Sequence, residues 1–148
     1  MSLDLKRELL RHLLATIEFR CRVAVADAPE GFAGFRINDS TRSAAEIMAH
    51  IGDLVDGSLH LMKGNVVMMN SVPLEWEQEK ARFLASVIRM DNFLASDTDL
   101  AYPIEKFVQG PFGDALSHIG QLVMMRRAFG APVRPESYFA AEIAAGRS

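Results

Sequence analysis

A chain of 148 residues that is 49% hydrophobic is long enough to bury a full core and too apolar to stay disordered. A formal charge of -3 with no basic run argues against nucleic acid as the main partner. The one cysteine, Cys21, excludes a disulfide within the chain, fits a reducing compartment, and reads as a small core residue rather than a nucleophile.

Met1-Ser2-Leu3-Asp4-Leu5-Lys6-Arg7-Glu8 lacks the apolar stretch of a signal peptide. No apolar run approaches the roughly 20 residues of a bilayer span. The expectation is a cytoplasmic protein with no membrane partner. The eight methionines are scattered and read as fillers of core gaps.

The first predicted helix runs from Leu3 to about Asp27. Leu5, Leu9, Leu10, Leu13, Leu14, Ile17, Cys21 and Val25 recur at three- and four-residue spacings, with Lys6, Arg7, Arg11, Glu18 and Arg22 opposite. Residues 28–34, rich in Pro and Gly, break it. The second helix starts near Ser40–Ser43, where Ser43 and Glu46 have capping-box spacing, and ends near Gly64-Asn65. Residues 66–72 read either as a loop or as its continuation. Pro73 suits the first turn of a third helix reaching about Leu94. Its inward set is Trp76, Phe83, Leu84, Val87 and Ile88; Glu75, Glu77, Glu79, Lys80 and Arg82 point mostly outward. A broken stretch at 97–103 and Gly110-Pro111 precede the fourth helix, Phe112 to about Phe129, which Gly130 and Pro132 stop. The tail, Pro135 to Ile143, suggests a short docking helix. Four such helices with no alternating β pattern predict a single all-α domain over residues 1–148, a four-helix bundle with long crossover loops.

Asp114 and His118 are four residues apart on the fourth helix, hence on one face, one turn apart. Taken alone, Asp114 reads as a residue favoured in a helix's first turn, and His50 as a half-buried core histidine beside Ile47, Ile51 and Leu54. If the second and fourth helices pack together, His50, Asp114 and His118 bring two nitrogens and one oxygen to one divalent ion. Imidazole suits zinc, nickel, iron and copper; a carboxylate hardens the site. Three protein ligands leave positions open, the pattern of a catalytic centre. Gln121 is placed to support a ligand or a bound water. Asp53 is near enough to orient His50, although exposed surface polarity is the preferred reading for it. Asp53 and Glu46 are the only evident general-base candidates. His60 lies about 15 Å along the helix from His50 and cannot share its ion; His12 has no matched partner. Arg126 and Arg127 read as complements to the helix's negative end.

Two stretches carry a resemblance. Ser-Ala-Ala-Glu-Ile-Met-Ala-His (43–50) continues as Ile-Gly-Asp-Leu, and His-Ile-Gly-Gln-Leu (118–122) is followed by Met-Arg-Arg-Ala-Phe-Gly-Ala-Pro-Val (125–133). Together they resemble the DinB/YfiT-like family, bacterial four-helix bundles of the damage-inducible type. The resemblance implies a metal-binding histidine at His50, and an H-x-x-x-H pair whose second member falls on His118 and whose first falls on Asp114. That aspartate departs from the family's three histidines: either an oxygen ligand hardens the centre, or the metal has been lost. The resemblance further implies a homodimer and a metal-dependent enzyme, a hydrolase or a transferase using a low-molecular-weight thiol. Its cofactor would be zinc or nickel first, with iron or manganese as alternatives, and its partner a small-molecule substrate or thiol. The rival reading is a non-catalytic, stress-associated or small-molecule-binding bundle with a degenerate metal site.

Overall fold

Four long helices dominate the computed structural model, which describes residues 1–146. Helix α1 spans Leu3–Val25, α2 Ala44–Met62 and α3 Trp76–Ala95; a one-turn α4, Ile104–Phe107, leads through a π-type turn, Val108–Phe112, into α5, Gly113–Ala128. No strand occurs among the described residues, and no helix there is long and apolar enough to cross a membrane. The fold is an all-helical four-helix bundle.

Local chemistry explains the ends. The Ser43 side chain accepts from the Glu46 amide at the start of α2, as capping-box spacing predicts. Gly64, with φ +85°, follows the last residues of α2 in the left-handed conformation that stops a helix. Residues 66–72 form a loop. The third helix departs from expectation: Glu75, not Pro73, precedes it, and the Glu75 carboxylate accepts from the Glu77 amide. A carboxylate there meets the free amides and the positive end of the helix, which Pro73 cannot do.

Packing runs α1–α3–α2–α5 around the bundle, so α1 and α2 sit on one diagonal and α3 and α5 on the other. Two connections must therefore cross an end of the bundle. Residues 26–43 make one crossing, and α4 with the π-type turn lies on the other. Each carries aromatic plugs. Phe32 is fully buried, with the rings of Trp76, Phe129 and Phe35 centred 5.9, 5.7 and 6.5 Å away. Phe107 and Phe112 are buried in the second crossover. Between them lies a core of Leu10, Leu14 and Ile17, Met48 and Ile51, Val87 and Met90, and Ile119 and Leu122.

Burial corrects the periodicity in several places. Leu5 and Leu9 are exposed, the latter by 58%, and so are Leu84 and Ile88. They lie on the margins of their stripes, where no neighbouring helix covers them. Conversely, Arg7, Glu18 and Glu79 are buried. Arg7 donates to the carbonyls of Leu94, Ser96 and Thr98, closing the carboxyl end of α3. The partners of Arg7 lie about 90 residues away, so no local pattern announces its burial. The tail forms turns, not a helix, yet it does dock. Tyr138 packs edge-on against Phe19 at 6.3 Å and lies 4.0 Å beneath the Arg20 guanidinium.

Cys21 is a core residue, as expected. It is buried beside the Met48 sulfur, 3.6 Å away, and burial pushes its thiol pKa up to about 12, with Glu18 adding to the effect. In the native protein it will react with a chromogenic disulfide reagent at least roughly a thousandfold more slowly than in denaturant, because the thiol must await unfolding. Comparable rates in both states would mean that α1 opens locally.

Candidate metal centre

Helices α2 and α5 are neighbours, and their contact face holds His50, Asp114 and His118. The approach to α5 is constrained. Gly110 has φ -103° and ψ -106°, a break in the helical path, and Pro111 follows it. A Cβ on Gly113 would sit 3.0 Å from the Val108 carbonyl oxygen, so the tight π-type turn suits glycine there. Here the turn delivers Asp114 opposite His50.

The three donor groups lie within 4.8 Å of one another. His50 Nε2 is 3.8 Å from Asp114 Oδ2, and His118 Nε2 is 3.5 Å from Asp114 Oδ1. The imidazole rings meet edge to face at 86°, centroids 4.6 Å apart. A tetrahedral ion with bonds of about 2.1 Å separates its ligands by about 3.4 Å. Small side-chain adjustments therefore suffice, and the group can hold a metal ion.

The surroundings favour the ligating forms. His118 Nδ1 is 2.8 Å from Gln121 Oε1. An amide oxygen accepts, so this contact suits the tautomer with the proton on Nδ1, which leaves the Nε2 lone pair for the cluster. His50 has its pKa lowered, first by burial and then by the positive charge of Arg42, against the opposing pull of Asp114 and Asp53. Neutral imidazole is the form that binds metal. The Asp114 side chain is 51% exposed, which leaves an approach from solvent.

Asp53 is not surface polarity, and it does not reach His50. It is buried, accepting from the Ser71 amide at 2.8 Å, the Ser71 hydroxyl at 2.7 Å and Arg82 at 3.4 Å. Arg82 also bridges to the fully buried Glu79, which accepts from the Leu74 amide at 2.7 Å. The network ties the loop after α2 to the bundle. Glu46 is held by Arg36, which keeps its carboxyl below the usual range. Both general-base candidates are thus engaged by other side chains. His60 and His12 are exposed and outside the cluster. Arg126 does not approach it either: it donates to the carbonyls of Ala24, Ala26 and Ala131, closing the ends of α1 and α5.

Beside the cluster runs a feature that the helical periodicity did not reveal. Val66, Val67, Met68 and Met69, with Leu54 and Leu61 of α2, line a cavity of about 440 Å³ that reaches His50 and Asp114. A run of four apolar residues, one residue beyond a helix-stopping glycine, was its one sequence signal. Comparisons with protein-family models, curated proteins and solved structures find no match.

Proposed function

We propose that this chain is a metal-dependent enzyme of the DinB/YfiT-like kind, acting on a small molecule. His50, Asp114 and His118 would hold one divalent ion, zinc or nickel before iron or manganese. One observation carries the reading: two imidazole nitrogens and a carboxylate from neighbouring helices converge within 4.8 Å, with Gln121 2.8 Å from the outer nitrogen of one imidazole.

When bound, a divalent ion supplies Lewis acidity, which lowers the pKa of water or of a thiol. The protein's own part is to leave an open side at Asp114 and to supply an apolar cavity beside it. Hydrolysis and thiol transfer both suit such a centre. In the second case the thiol comes from a small molecule, because Cys21 is buried and protonated. The homodimer implied by the sequence resemblance has support in an uncovered apolar groove lined by Leu9, Leu13, Ile104 and Val108.

The test is elemental mass spectrometry of tag-free protein purified without chelator. Near-stoichiometric metal that depends on His118 supports the reading. No metal, even after divalent ions are added, overturns it in favour of a non-catalytic bundle.

A further inference from the structure

His50 stands at the seam between two unlike cavities. On one side is the apolar cavity bounded by Leu54, Leu61, Val66 and Met68, which also reaches Asp114. On the other is a polar cavity of about 260 Å³ that holds Arg42, Asn70 and Ser71. Two carboxylates also border the polar side, but Arg36 neutralises Glu46 and Arg82 with Ser71 occupies Asp53. Arg42 is exposed, lines the same cavity as His50, and has no carboxylate partner among the described residues.

The apolar side is built, not incidental. Met68 is 92% exposed and Val66 73% exposed, in a loop that Asp53 and Glu79 hold in place through Ser71 and Leu74. An anchored loop that shows water three apolar side chains in a row, Val66, Val67 and Met68, creates a surface suited to an apolar ligand. The polar cavity's one uncompensated cation says what the ligand's other end carries.

We propose that the substrate is an amphipathic monoanion, with an alkyl or acyl part in the Leu54–Leu61–Met68 cavity and a carboxylate directed to Arg42. The bond acted on then joins the two parts and lies over His50 and Asp114. This assignment rests on the metal-enzyme reading for its chemistry, though not for binding itself.

The probe is N-octanoylglycine, which has an acyl chain, a central amide and a carboxylate. Its binding is measured by calorimetry to the full chain, both metal-loaded and chelator-treated. Binding is expected in both states, weakened about tenfold by Arg42→Gln, the loss of one charge-assisted hydrogen bond, and by a similar factor in Leu61→Asp. Neutral octanamide should bind wild type and Arg42→Gln alike, which separates the carboxylate contact from a general disturbance. Binding that survives chelation while no metal is ever found upholds the cavity assignment and sinks the metal reading. Metal present with no binding of the probe does the reverse. If the protein is a dimer that Met68→Asp dissociates, and the probe does not bind, a second copy fills the cavity and the proposal is overturned. Equal affinity of wild type and Arg42→Gln for N-octanoylglycine would also overturn it.

Discussion

His118→Ala is expected to abolish stoichiometric metal binding and leave the helical content unchanged. His118 lies at the rim of the α2–α5 contact and belongs to no part of the apolar core, so its truncation opens no core cavity. Two ligands, His50 and Asp114, would remain, too few to hold a divalent ion against buffer. With metal at a hundred times its dissociation constant, wild type should gain about 2.7 kcal/mol of stability, and the variant none. Gln121→Ala should fall between them. It keeps all three ligands but frees the His118 ring and its tautomer, which costs about 10- to 100-fold in affinity. Metal titration followed by thermal unfolding reads all three proteins. Equal metal content in wild type and His118→Ala would place the ion elsewhere. An unfolded His118→Ala protein, with no metal in wild type, would make His118 a structural residue.

Arg82→Ala should be the most damaging substitution of a polar residue, at about 3–5 kcal/mol. The guanidinium is the shared partner of two buried carboxylates, Glu79 and Asp53, and also donates to the Ala49 carbonyl at 3.0 Å. Removing it leaves two anions out of water with only Ser71 and the Leu74 amide to stabilise them. The comparison is Arg89→Ala. Arg89 pairs with Asp56 at 2.9 Å but is half exposed, and its loss should cost under about 1 kcal/mol. Denaturant unfolding of both variants measures the difference. A cost for Arg82→Ala no greater than that for Arg89→Ala would show that the buried carboxylates find other partners. The same variant should loosen the 66–72 loop, since both of the loop's anchors lean on Arg82.

The four long helices were legible because helix formation is written locally. Stripes such as Leu10–Leu14–Ile17, the Ser43–Glu46 cap and the stops at Gly64 and Gly130 each involve residues a few positions apart. The candidate ligands were legible for the same reason. Asp114 and His118 share a face by spacing alone, and His50 stood out as a histidine beside an apolar stripe.

Whether the two faces meet was not local. It depends on the α1–α3–α2–α5 order, which two diagonal crossovers impose. Tertiary structure alone also decided the polar interior. Asp53, Glu79 and Arg7 look like surface residues in their own helices, yet each is buried. Their partners are a loop hydroxyl 18 residues away, a guanidinium three residues on that also reaches across to the second helix, and carbonyls about 90 residues distant. A charged group enters a core only where such partners are already in place, because desolvation otherwise outweighs what it gains. The sequence alone therefore determined the four helices and the candidate ligands on their faces. The tertiary structure decided which faces meet, and so brought those ligands together between an apolar cavity and a free arginine.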